Sequence, residues 1–172
     1  MSQSSQLEQV REDFIAQWGV MGTQWGINRT MAQVHALLMT AVEPMSTDEV
    51  METLDISRGN AHTNLKELVN WGLLRIITKK GERREFFEAE KDVWEMFRLI
   101  MRERKRRELD PALAVLTRCK QESSSLKSVE AKAFHQQMSE LEDFLNLASK
   151  MSDRASGLPQ NKVMQMAMKL LG

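Results

Sequence analysis

Two helix-start signals set close together constrain this chain more than any other feature. In "EPMSTDEVMETLDISRGNAHTNLKELVNWG", Ser46-Thr47-Asp48-Glu49 reads as a capping box. The Ser46 hydroxyl accepts from the amide of Glu49 while the Glu49 side chain reaches back. Ser57 then caps a second helix. The first helix therefore ends near Leu54, burying Val50, Met51 and Leu54, and Asp55-Ile56 turns tightly. From Arg58 to about Asn70, Ala61, Leu65, Leu68 and Val69 share one face at 3.6 residues per turn, and Gly72 is the expected stop. "LLRIIT" and "RREFFEAE" are strand-like runs joined around Lys80-Gly81-Glu82, a hairpin signal. Upstream, Asn28 caps a helix from Arg29 to Val42 that places Met31, Val34, Leu38 and Val42 on one side, and Glu43-Pro44 ends it. Helix, helix, helix, strand, turn, strand predicts a mainly α chain built on a winged helix-turn-helix with a two-stranded wing.

Longer helical patterns flank this unit. Leu7, Val10, Phe14, Trp18, Met21 and Trp25 recur at steps of three and four, close to a heptad seam, so the expected mate is another helix. Helical period returns from Lys91 with Val93, Phe97, Ile100 and Met101, and Asp110-Pro111 is expected to break it. "QESSSLKS" (121–128) is the most linker-like segment. Beyond it Phe134, Met138, Leu141, Leu145 and Ala148 form the cleanest heptad in the chain. A last short helix offers Val163, Met166, Ala167, Leu170 and Leu171. These stripes exceed what one small winged helix can cover, which predicts a homodimer sealed by Leu7, Phe14, Trp18, Met21, Trp25, Phe134, Met138, Leu141 and Leu145. The expected organisation is 1–26 as an N-terminal dimerisation helix, 27–90 as the winged helix and 91–172 as a helical dimerisation region.

The free face of the Arg58–Asn70 helix carries Gly59, Asn60, Thr63, Lys66, Glu67 and Asn70. Its first turns are small, polar and hydrogen-bonding, as a helix must be to reach base edges in a major groove. Arg58 sits where recognition helices commonly touch DNA. Asn60, Thr63 and Asn64 are expected to project towards bases and Lys66 towards phosphate, while the helix start capped by Ser57 presents free amides. Lys79, Lys80, Arg83 and Arg84 cluster at the hairpin as a second contact, which can follow the backbone or enter a narrow minor groove. Net charge is zero, yet residues 1–56 hold two basic and eight acidic side chains whereas 57–84 hold seven basic and two acidic. A polyanion feels that local field.

"EPMSTDEVMETLDISRGNAHTNLKELVNWGLLRIITKKGERREFF" resembles the GbsR branch of the MarR transcriptional regulators. The resemblance rests on the SRGN start of the recognition helix, the L-K-E-L-x-x-W-G-L run and the K-G-x-R wing, and covers about residues 18–107. It implies a dimeric DNA-binding regulator with dimerising helices from both chain ends. It also implies Ser57, Arg58, Gly59, Asn60 and Asn64 for the helix contact, and Lys80 and Arg83 for the wing. Some relatives in this branch respond to quaternary ammonium compounds, which aromatic faces hold by cation–π attraction. A small-molecule effector is thus allowed, although Trp18, Trp25 and Trp94 lie on apolar stripes and read first as core.

The expected reading is a sequence-specific transcriptional regulator, a dimeric repressor on a pseudo-palindromic double-stranded operator, released by an effector whose site the sequence leaves open. The alternative is a winged-helix protein-interaction module without DNA binding. No nucleophile–base set, phosphate loop or metal-ligand spacing is present, so neither an enzyme nor a cofactor nor a metal is expected. His35, His62 and His135 are far apart, with His35 expected at the core edge. Cys119 is the single cysteine, consistent with a reducing cytoplasm. No secretory signal and no membrane-length apolar run appears. The basic run Arg102 to Arg107, interleaved with Glu103, reads as a solvated helix end.

Overall fold

A computed structural model of the chain describes residues 3–157. The helix expected around Val163 to Leu171 lies outside the described residues. Two compact units divide between Met96 and Phe97.

In the first unit, α1 (Gln3–Gln24) packs on α2 (Arg29–Thr40). The capping signals are realised: the Asn28 side chain accepts from the Met31 amide, and both halves of the Ser46–Glu49 box form at the start of α3 (Thr47–Leu54). Those hydrogen bonds, the Ser46 amide first, hold the Glu49 carboxyl below its ordinary range. Asp55 takes the left-handed conformation at φ 49° and turns the chain into α4 (Arg58–Asn70), where Ser57 accepts from the Asn60 amide. Val34, Ala36, Val50, Ala61 and Leu65 are fully buried and form the heart of the core.

α2 is more enclosed than a one-sided helix. Met31, Ala32, Val34, His35, Ala36, Leu37 and Leu38 are all buried, because α1, α3, α4 and the sheet surround it. Two expectations change accordingly. His35 is core at 4% exposure, not core edge, while Val42, past the helix end, is 88% exposed. Lys91 Nζ donates to the Ala41 carbonyl at 2.6 Å and Arg11 to that of Leu37 at 3.3 Å, satisfying acceptors at the C-terminal end of α2.

Glycine sets the closest approach of α1 to α2. A Cβ on Gly22 would stand 2.5 Å from Ala32 Cβ, which has no flexible end to yield. Gly22→Ala should therefore cost about 1–3 kcal/mol by overpacking, read as a lowered urea midpoint with an unchanged slope. The face of α1 turned to this contact carries Ile15, Gly19 and Gly22, all buried. The seam read from the sequence lies beside it. Leu7 and Trp25 are exposed, while Phe14, Trp18 and Met21 are half-buried.

The wing sheet has three strands, one more than expected. β3 (Phe86–Ala89) is central, with β2 (Leu74–Ile77) on one side and the two-residue β1 (Met45–Ser46) on the other, all antiparallel. β1 pairs Met45 with Phe87 and ties the start of α3 to the wing. A strand of two residues beside a proline has no periodicity to read. Phe87 is fully buried and Phe86 nearly so.

In the second unit the helical path does not break at Asp110-Pro111. α5 (Val93–Arg104) passes through a π-helical turn (Lys105–Leu109) into α6 (Asp110–Ser123). The Asp110 amide reaches the Lys105 carbonyl, and Pro111 follows in the first turn of α6, where a missing N–H leaves fewer bonds unmade. From Arg104 to Arg107 the basic run is paired within this unit. Glu103, 6% exposed, binds Arg106 and Arg107 at 2.5 Å each, which holds its carboxyl below the usual range. Arg104 pairs with Glu108 and Lys105 with Asp153. α7 (Val129–Gly157) returns along α6, clasped by Lys120 and Thr117 on Glu142 and by Ser123 against His135.

Candidate nucleic-acid interface

The HTH elements and the wing present one polar surface within the first unit. Arg58, Gly59, Asn60, His62 and Thr63 of α4 are exposed, whereas Ala61, Leu65 and Leu68 face the core. The Gly59 position is open, with nothing within 4 Å of a Cβ placed there, so backbone can approach a ligand closely. The helix start is capped by Ser57, which is itself exposed.

The wing turn is made by Gly81 at φ 87°, a conformation that a side chain would strain. Around it the four predicted cations divide into two pairs. Lys79 lies over the Phe86 ring at 4.1 Å and Arg84 at 5.6 Å, and Arg84 also pairs with Glu82 at 3.1 Å. These two brace the stem. Lys80 and Arg83 are exposed and, among the described residues, have no acidic partner. They form the free charge of the tip.

Other predicted contacts carry partners of their own. Arg58 is ion-paired to Asp48 at the start of α3. Lys66 stands 3.6 Å from Glu85, both half exposed, a weak pair that a phosphate can replace. Arg58, Arg84, Asp48 and Glu85 share a small cleft of about 160 Å³ with Ser46 and Thr47. Asp48 had no mark in the sequence beyond its place in the capping box, because its pairing with Arg58 depends on the angle of the turn.

Asn64 does not project towards a groove. It is 7% exposed, and its amide nitrogen donates to the Asn60 carbonyl at 2.8 Å and to Asn60 Oδ1 at 2.7 Å. One turn after Asn60, on the flank between the free and the core face, its side chain folds back along the helix.

Helix, tight turn, helix and a three-stranded wing describe a winged helix-turn-helix. Residues 25–85 match the MarR family. That match spans about a third of the chain and coincides with the winged helix. The chain is also similar to the crystal structure of a transcriptional regulator, at 17% identity over 86% of this chain and 95% of that one, with a TM-score of 0.67. That likeness extends the shared fold beyond residues 25–85. Looser similarities are to MepR, a transcription regulator of the Staphylococcus aureus multidrug efflux pump MepA (9% identity, 99% and 95% coverage, TM-score 0.37), and to human N-acetylserotonin methyltransferase (18% identity, 69% and 35% coverage, TM-score 0.32). Comparison with curated proteins gives no match.

The aromatic residues of and just after α1 are partly gathered. Phe14 and Trp18 meet at a tilt of 39° with ring centroids 5.5 Å apart, and Trp18 meets Trp25 edge-on at 6.5 Å. No ring contact joins Trp94 to them among the described residues. Nor, among those residues, is any group of three His, Cys, Asp or Glu side chains placed to hold a metal ion. No helix among them is long and apolar enough to cross a membrane.

Proposed function

We propose that the protein is a cytoplasmic, dimeric transcriptional regulator of the GbsR type that binds double-stranded DNA sequence-specifically and acts as a repressor. The observation that carries this reading is the joint surface of α4 and wing. An exposed small and polar helix face lies beside a turn whose Lys80 and Arg83 have no partner in the described chain. α4 enters the major groove with Asn60 and Thr63 towards base edges, and the wing tip follows the phosphates. Arg58 reaches phosphate by exchanging Asp48 for it, and Lys66 by exchanging Glu85. The match of residues 25–85 to the MarR family supports the same reading.

Dimerisation is supported by apolar side chains left uncovered: Leu7 and Trp25 of α1, and Phe134 and Leu141 of α7. A two-fold dimer presents two copies of α4, so the operator is a pseudo-palindrome with half-sites about one helical turn, roughly 10 base pairs, apart. An effector acts by favouring one separation of the two winged helices over the other.

The test is retention on duplex DNA as a function of salt. The parent protein should lose affinity steeply between about 50 and 200 mM salt. Arg83→Ala should weaken binding to all sequences and reduce the log–log slope by roughly 0.9, one phosphate contact. Retention that ignores salt would mean that this winged helix recognises something other than DNA.

A further inference from the structure

The pair Asn60–Asn64 determines which edge of Asn60 faces outward. Asn64 is buried, and its nitrogen is identified by its partner: the Asn60 backbone carbonyl, 2.8 Å away, accepts and cannot donate. The same NH2 group meets the end of the Asn60 side chain at 2.7 Å. A nitrogen there would set donor against donor, so the atom turned inward is Oδ1. The Asn60 amide nitrogen, with no hydrogen-bond partner among the described residues, is then the edge left for a ligand, on an exposed residue in the first turn of α4.

We propose that Asn64 is a positioning residue which holds Asn60 as a hydrogen-bond donor, so that α4 selects a base bearing acceptors in the major groove, guanine first, and rejects cytosine. This rests on the DNA-binding reading above. Guanine offers two adjacent acceptors, N7 and O6, to a single NH2 group; thymine O4 and adenine N7 offer one each; cytosine presents only its N4 donor. The common asparagine–adenine pairing uses the amide oxygen and nitrogen together. Here that oxygen is turned onto Asn64, which takes one of its two lone pairs and draws it away from a base edge, so the advantage of adenine is reduced. Asn64 itself touches no base.

The measurement is selection from randomised duplexes of about three helical turns, roughly 30 base pairs, by the full-length protein, followed by sequencing of the bound fraction. The parent should enrich a motif with guanine favoured and cytosine depleted by roughly tenfold or more at one position of each half-site. Asn64→Ala should reduce that discrimination to within about twofold at this position, leave the other positions unchanged, and retain unselected duplex within about twofold of the parent. Asn60→Asp, on an exposed residue, should move the preference to cytosine, whose N4 donates to a carboxylate. If Asn64→Ala fails to fold by circular dichroism, the Asn60→Asp selection alone decides. A parent that enriches a motif, with preferences unchanged in either folded variant, would overturn the positioning role and leave DNA binding intact. A parent that retains no duplex at low salt overturns both.

Discussion

Between pH 7 and pH 4 the protein should lose about 3 kcal/mol of stability through His35 alone. The ring is 4% exposed in α2, and its Nε2 has no hydrogen-bond partner among the described residues. Burial penalises the imidazolium and lowers the pKa from 6.5 to about 4. In the unfolded chain the same ring takes up a proton near its ordinary value. Across the window from 6.5 down to about 4 the unfolded state thus binds a proton that the folded state refuses, and stability falls as pH falls. Above pH 6.5 both states are neutral and the group contributes no pH dependence. Below 4 both are charged and the loss is complete. A cost of this size is a substantial part of the roughly 5–15 kcal/mol available to a typical domain. His35→Leu, which conserves apolar volume and removes the unpaired nitrogen, should unfold in urea at nearly the same midpoint or higher at pH 7. Its midpoint should also fall far less than the parent's by pH 4.5. Equal pH slopes in parent and variant would show that His35 is not the group responsible.

His35 also marks how far the sequence could be read. The elements with local chemistry were legible. Asn28, Ser46 and Ser57 each cap the helix that follows, Asp55 makes the turn, and Gly72 and Gly81 stand where the chain needs a positive φ. Those signals act over three or four residues and need no knowledge of what packs above them. Anything decided by a partner far along the chain was not legible. Nothing in "QVHALL" announces that α2 is covered on every side, because that depends on α1, α3, α4 and the sheet converging on it. β1 exists only because β3 passes beside Met45. Pro111 looked like a break, since a proline ends a helix wherever the preceding turn keeps α geometry; the π turn at Lys105–Leu109 removes that condition.

The candidate interface follows the same division. That α4 should offer a small polar face was readable from periodicity, and Asn60 and Thr63 are exposed on it. Which way Asn64 turns was not, because a residue at the edge of two faces is assigned by its hydrogen bonds, here with Asn60. Likewise four wing cations read alike in sequence, whereas Phe86 and Glu82 engage Lys79 and Arg84 and leave Lys80 and Arg83 without an acidic partner among the described residues.

The heptad at the chain's other end leads to the largest expected change in DNA binding. Its members Met138 and Leu145 are half-buried, in helical register with His135 and Glu142, whose side chains engage α6. Phe134 and Leu141 are exposed, and the exposed stripe continues through residues the heptad omitted: Phe144 at 65%, Leu147 at 57% and Met151 at 62%. One side of α7 thus seals the helical hairpin, and the other is an uncovered apolar face of the kind that a second copy buries. Phe144→Glu combined with Leu147→Glu should turn the proposed dimer into a monomer of 19.8 kDa by light scattering at micromolar concentration. Helix content should be unchanged, since substitutions at exposed sites seldom cost more than about 0.5 kcal/mol. Operator affinity should fall by about 10²-fold or more, because the second half-site contact ceases to be intramolecular. Binding to one isolated half-site should stay within about twofold of the parent, as each α4 and wing is intact. A variant that remains dimeric would place the seam elsewhere, with Leu7 and Trp25 of α1 as the next candidates. A parent that is itself monomeric at that concentration would remove the dimer and, with it, the pseudo-palindrome.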